Sequence, residues 1–293
     1  MKNIKKILTS AFVIGALSVF AACGGSNNND GDGDFNANRQ IAVVTRESGS
    51  GTRGAFVEII GLEVDGNDST YIGAEVQNGT GAVLGTVSNE IYSIGYVTLG
   101  SMRDDVRALS INGIAPTAEN IQNGSYTLFR PFYIVIGRDA EENALRDDFK
   151  NFILSAEGQG VVASGYIPIS GSLPSWQPSG LTGNLDVAGS TSVFPLMSRL
   201  AEAYEAANPG VTIDIQSVGS TGGITQGTDG TVHIGMSSRD LRPSEMELAY
   251  HWDIAYDGLV IIVNPDNPLQ NLALEDVREI FLGNERNWSA FIN

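Results

Sequence analysis

Three clusters of glycine and hydroxyl residues are best placed to do chemistry: Gly189-Ser190-Thr191-Ser192, Gly219-Ser220-Thr221-Gly222-Gly223 and Ser48-Gly49-Ser50-Gly51-Thr52. Each offers O–H and closely spaced backbone N–H donors with no bulky side chain in the way. Glycine lets such a backbone come close, so each loop suits a dehydrated oxyanion. One loop of this kind is common. Three, at least two of them running into helical patterns, point to a tetrahedral anion held from several sides.

The elements that must position these loops can be read around them. The run 41–45 is β-rich and leads into the loop 46–52, and residues 53–60 carry helical apolar spacing through Phe56, Ile59 and Ile60. A short helix is expected over 82–87, a strand over 93–97, a continuous apolar strand over 132–136 and an amphipathic helix over 145–154. Residues 170–183, with two prolines and several serines and glycines, read as a connector. After it the pattern restarts: strand 185–188, helix 193–207, strand 211–215, the loop 219–223, and strand 232–235. A long apolar strand over 258–263 ends in Asn264-Pro265, and a helix over 274–281 stops at Gly283. Alternation of this kind predicts α/β layers with largely parallel sheets, whose anion loops sit at the carboxyl ends of strands.

Composition bounds the function. The 293 residues, 42% hydrophobic, have room for two lobes or domains. The net charge is −17, and without Lys2, Lys5 and Lys6 there remain 14 basic against 34 acidic residues. That argues against nucleic acid or anionic lipid as a partner. It does not argue against an anion site, because donors within a few ångströms dominate there while distant surface charge is screened. Catalysis has little support. No Gly-x-Ser-x-Gly elbow is present, His233 and His251 read as structural, and no glycine loop fits Gly-x-x-x-x-Gly-Lys-Ser/Thr. No acidic loop has calcium spacing, so neither a metal nor a cofactor is expected.

Taken together, four segments resemble the phosphate-binding proteins of ABC-type phosphate importers. They are Val187-Ala188-Gly189-Ser190-Thr191-Ser192, the 219–223 loop, Ile234-Gly235-Met236-Ser237-Ser238-Arg239 and Arg46-Glu47-Ser48-Gly49-Ser50-Gly51-Thr52. Supporting matches are residues 257–264, 280–288 and Arg130-Pro131-Phe132-Tyr133-Ile134. The resemblance covers nearly everything from Ile41 to Trp288. Its order is unusual, since the Gly-Ser-Thr loop generally opens such chains and the Arg loop lies in the middle. This looks like a circular permutation with new termini in a surface connection; a truncated tandem chain is the alternative.

The resemblance implies a two-lobed α/β fold of the periplasmic-binding-protein-like type II flytrap kind, with a two-strand hinge. One lobe would span 132–263 and the other 41–131 plus 264–293, with the strands 132–136 and 258–263 crossing between them. Ser190, Thr191, Ser192 and Ser220 would face the ligand from the 132–263 lobe, near helix starts whose dipoles favour an anion. Simple N-capping is the alternative for Ser190, Thr191 and Ser192. From the other lobe Arg46 would give a two-pronged contact, joined by Ser50, Gly51 and Thr52; an ion pair with Glu47 is its alternative. Thr221 and Arg239 are further candidates.

At Ser238 the family often carries an aspartate, which accepts the ligand's proton and rejects sulfate. A hydroxyl both donates and accepts, so it discriminates less sharply; Asp240 or Glu47 are candidates for the missing acceptor. The implied function is capture of inorganic phosphate by lobe closure and its delivery to a permease driven by a cytoplasmic ATPase, with no bond made or broken. A receptor for another oxyanion such as sulfate, or a sensor or adhesion module on the same fold, are the other readings.

The first 22 residues read as a signal peptide, with Lys2, Lys5 and Lys6 ahead of an apolar stretch over 7–20 too short to span a membrane comfortably. Ala21-Ala22-Cys23 resembles a bacterial lipobox with Phe20 where leucine is usual. Acylation of Cys23, the chain's one cysteine, would anchor a monomer to the outer face of the cell membrane by lipid alone; an ordinary cleaved signal peptide is the alternative. Residues 23–40, polar and acidic, read as a flexible tether.

Overall fold

The computed structural model describes residues 35–64 and 67–292; the signal-peptide segment, Cys23 and most of the expected tether lie outside the described residues. The described chain carries one nine-stranded mixed sheet. Its order is Val211–Ser217, Gly183–Gly189, Ile234–Ser237, Phe129–Gly137, Ala249–Val263, Ser93–Thr98, Ala42–Arg46 and Glu75–Gln77, with Arg107–Ala108 also pairing to Ala249–Val263. The expectation of largely parallel pairing needs correction. Pairs at both flanks are parallel, but the three central pairs are antiparallel. The centre is where the chain passes from one lobe to the other and back, and a strand that returns beside its outgoing partner runs antiparallel.

Two lobes follow from how the apolar residues bury. Phe56, Tyr96, Phe281 and Trp288 anchor one core, with the rings of Phe56 and Tyr96 stacked at 3.8 Å. Phe132, Phe149, Leu196, Tyr204 and Met236 anchor the other. Ala249–Val263 serves both: Ile254 and Ala255 pack in the second core, Leu259 and Ile261 in the first. The crossing therefore lies near residues 255–259, where Phe129, Arg130 and Pro131 run alongside as antiparallel partners of Gly258, Asp257 and Tyr256. The last five residues of the long strand, expected in the lobe 132–263, belong to the other lobe's core. A strand buried on both faces reads as one apolar run, and such a run carries no mark of where it changes lobe.

Other differences are local. Residues 35–40 are not tether: Phe35 packs against Tyr92 and Trp288, and Gln40 bridges to Asn287. His233 sits one residue before the strand Ile234–Ser237, and its Nδ1 accepts the Asp186 N–H at 2.9 Å. His251 lies in the long strand, edge-on to Tyr133. Among the described residues no helix is long and apolar enough to cross a membrane.

The largest correction concerns 219–223, which is not a loop. Gly219–Thr228 is helical throughout. A Cβ at Gly223 would stand 2.5 Å from Gly189 Cα, 2.6 Å from Met236 O and 2.8 Å from Ala188 O, all backbone. One at Gly227 would stand 2.7 Å from Gly235 N. These glycines let a helix lie directly on the strands Gly183–Gly189 and Ile234–Ser237, rather than letting backbone approach an anion.

Candidate functional site

Four helix starts supply the polar groups that meet between the lobes. Gly51–Ile59 follows the strand Ala42–Arg46 and is capped by Ser50, whose Oγ accepts the Arg53 N–H at 3.2 Å. Thr80–Asn89 begins after Gly79, which takes a φ of 88° that glycine adopts readily. Gly219–Thr228 begins with Ser220 in its first turn. The turn 190–193 leads into Phe194–Ala207, a helix without a side-chain cap. Within that turn Ser190 Oγ accepts the Ser192 N–H at 3.2 Å, so the capping alternative is met in part by Ser190, while Thr191 and Ser192 turn their hydroxyls to other partners.

Those hydroxyls bond to one another across the lobes. Thr52 Oγ1 and Ser192 Oγ share a hydrogen bond at 2.7 Å, and Thr80 Oγ1 lies 3.2 Å from both Thr191 Oγ1 and Ser192 Oγ. Within the second lobe Ser190 Oγ donates to Ser238 Oγ at 2.8 Å, Ser220 Oγ stands 3.3 Å from Ser238 Oγ, and the Ser238 N–H donates to Ser220 Oγ at 3.0 Å. Gly51 closes against this trio. A Cβ there would lie 2.8 Å from Ser238 Oγ and would overlap Ser220 Oγ. The Thr221 N–H donates to Gly49 O at 3.1 Å, a backbone latch between lobes. Ser190, Ser192, Ser220, Ser238 and Thr52 are all buried.

Arg46 is the cation of the first lobe, 2% exposed. Its Nη2 donates to Thr191 Oγ1 at 3.0 Å and its Nη1 to Thr80 Oγ1 at 3.3 Å, so it reaches the shared space. Nε and Nη2 also hold Glu47 in a two-pronged pair at 2.7 Å. The ion pair with Glu47 is present, and Arg46 also donates to a hydroxyl of the other lobe, that of Thr191. Burial pushes the Glu47 carboxyl up, but its bonds from Arg46 and from the Gly79 N–H outweigh that and hold it below the usual carboxylate range. A carboxylate so engaged is a poor acceptor for a ligand's proton.

Asp240 is engaged too, accepting from the Tyr133 hydroxyl at 2.6 Å. Arg239 turns away: it pairs with Glu245 through two 2.8 Å bonds and touches the site only by a 3.4 Å contact to Thr221 Oγ1. Among the described residues no three His, Cys, Asp or Glu side chains gather as metal ligands would.

Three residues at the site were given no site role from the sequence. Thr80 had a signal, since Gly79-Thr80-Gly81 before a helix repeats the small-residue pattern of the other loops. Arg130, 4% exposed, donates from Nη2 to Thr52 Oγ1 at 2.9 Å. Asp257, its cross-strand partner, accepts from the Gly100 N–H at 3.1 Å, and burial pushes its carboxyl up to about 7. A charged residue opening an apolar strand run was the available sign for both.

The arrangement is a buried ring of hydroxyls with guanidinium groups beside it and helix starts around it, split between two lobes. That is a site for a small, multiply charged oxyanion. A family model described as PBP superfamily domain matches residues 3–157 and 176–293. The phosphate-binding protein PstS 2 of Streptococcus pneumoniae serotype 4 is 41% identical over 291 residues, 97% of this chain and 98% of its own length. A crystal structure of the phosphate-binding protein of a phosphate ABC transporter from S. pneumoniae TIGR4 aligns with a TM-score of 0.68 at 41% identity, over 86% of this chain and 99% of that one. The phosphate-binding protein PstS of Pseudomonas aeruginosa is 36% identical over 128 residues, 41% of this chain and 40% of its own. The chain therefore belongs to the PBP superfamily and, within it, to the family of these phosphate-binding proteins.

Proposed function

We propose that this chain is a solute-binding protein that captures inorganic phosphate between its lobes and delivers it to an ABC-type permease, without itself catalysing a reaction. The observation that carries the reading is the interlobe ring of buried hydroxyls with Arg46 reaching into it. Closure brings Ser190, Thr191, Ser192, Ser220 and Ser238 from one lobe against Arg46, Ser50, Gly51 and Thr52 from the other, and these are the phosphate-binding residues of the proposal. The names of the full-length relatives agree with it.

Titration calorimetry on the full chain with phosphate, sulfate and arsenate tests this. We expect a phosphate Kd of about micromolar or tighter, and at least about a tenfold loss, 1.4 kcal/mol, in Arg46→Ala. Absence of heat with every oxyanion would end the proposal. Tighter binding of sulfate than phosphate would replace it with a sulfate-type receptor, a reading favoured by the one observation that Glu47 and Asp240 are both engaged elsewhere.

We also propose lipid anchoring of a monomer through Cys23 at the outer face of the cell membrane, supported by the basic and apolar segments before it. Labelled palmitate should enter the wild-type chain and not Cys23→Ser; equal labelling would refute the anchor. Circular permutation is supported by the match to P. aeruginosa PstS covering only 41% of this chain, as a single collinear alignment to a reordered chain would. The segments 39–41 and 286–288 also hydrogen-bond to each other, Ile41 N–H to Arg286 O at 2.8 Å and Trp288 N–H to Arg39 O at 3.3 Å. A chain rejoined there and opened ahead of Gly183 should fold and bind as the original does; failure to fold would count against it.

A further inference from the structure

Arg130 stands on the strand that runs through the crossing, directly opposite Asp257. One of its N–H groups is accounted for, the bond from Nη2 to Thr52 Oγ1 at 2.9 Å. Nε and Nη1 are buried with no hydrogen-bond partner. A guanidinium carries five N–H donors, and leaving charged donors unmet in the interior is costly, so such groups demand an explanation. Asp257 does not satisfy them by contact: no hydrogen bond joins the two side chains, and its carboxylate takes the Gly100 N–H at 3.1 Å. It offsets the charge from across the strand pair. Thr52 in turn bonds Ser192, which places the Arg130 head group against the hydroxyl ring.

We propose that Arg130 is a ligand-binding residue of the same site, its Nε and Nη1 N–H groups taking oxyanion oxygen from the crossing strand, and that this second cation makes the site select the doubly charged form of its ligand. The proposal rests on the oxyanion reading above. Its selectivity follows from the charges in reach. Arg46 and Arg130 are both positive, Glu47 is spent on Arg46, and position 238 is a serine. Positive neighbours favour the more ionised form of an acid, and the two carboxylates weighed as acceptors of its proton, Glu47 and Asp240, are engaged elsewhere.

The charged or titratable groups that act on Arg130 are Asp257, Arg46 and Tyr96. The Tyr96 phenol, pushed up to about 12 by burial, stays neutral, so near pH 7 only Asp257 changes charge. Repeating the measurements in Asp257→Asn separates its titration from that of the ligand.

The test is calorimetry of the full-length wild type, Arg130→Lys and Arg130→Gln with phosphate and sulfate at about pH 5.5 and about pH 8. Phosphorus NMR of phosphate bound to the wild type accompanies it. Arg130→Gln should lose at least about tenfold in phosphate affinity at the higher pH, and clearly less at the lower, where free phosphate is mostly monoanion. Sulfate, doubly charged at both, should lose about equally at both. Arg130→Lys should recover part of the loss. Bound phosphate should give the dianion signal at about pH 5.5.

Wild-type affinities in Arg130→Gln, or a loss that ignores ligand charge, would overturn the proposal, and the first would leave the oxyanion reading intact. No oxyanion binding by the wild type would instead end that reading, and this one with it. Should Arg130→Gln fail to fold, the NMR signal decides: bound phosphate as monoanion at about pH 5.5 refutes the role.

Discussion

At the scale of single residues, the site is governed by what fits between hydroxyls. Gly51 has no room for a methyl group because Ser220 and Ser238 lie against it across the lobe interface. Alanine there obstructs the closed arrangement while leaving each lobe's core untouched. Gly51→Ala should therefore lose at least about tenfold in phosphate affinity by calorimetry, with its melting temperature within about 2 °C of wild type. An affinity equal to wild type would mean that the lobes do not close as described. The hydroxyls and Arg46 were legible in the sequence because serines and threonines clustered with glycine before helical patterns place donors at helix starts. Arg130 was not, since a cation inside an apolar strand reads as part of the strand until its unmet N–H groups are seen.

At the scale of elements, the glycines of 219–228 had a use that spacing alone could not separate from anion binding. Both uses need small residues; only the backbone contacts at Gly223 and Gly227 show that packing claims these two. Gly223→Ala should destabilise the fold by about 1–3 kcal/mol in urea unfolding, because the obstructing atoms are backbone and cannot step aside. No measurable change would show that the helix can lift off the sheet at little cost. The antiparallel crossing makes a second prediction.

The unfolded chain releases the Asp257 proton near the ordinary carboxylate value of 3.8, whereas the folded chain keeps it up to about 7. Between those values the folded state binds more protons, so this group makes stability fall as pH rises through that window, levelling above it. In Asp257→Asn that loss is gone. Its melting temperature relative to wild type should rise by at least about 2 °C between about pH 4.5 and about pH 8. A difference that is flat or moves the other way would contradict a buried, proton-holding Asp257.

At the scale of the whole molecule, most strands and helices were legible from periodicity, and so was the two-lobed architecture through the family resemblance. What was hidden was the handover between lobes, because Leu259-Val260-Ile261-Ile262-Val263 is fully buried and looks like any core strand. The net charge of −17 sits oddly with an anion ligand only until distance is considered. Surface carboxylates are screened within roughly 8–10 Å at ordinary salt, while the buried donors act at contact. The central claim is that closure of these two lobes holds one phosphate. Equilibrium dialysis of the full chain against labelled phosphate, with and without excess sulfate, tests it most directly. Expected is saturation at one phosphate per chain, at about micromolar free phosphate or below, with excess sulfate competing because it is a dianion with no proton to place; no retained label at millimolar phosphate would contradict it.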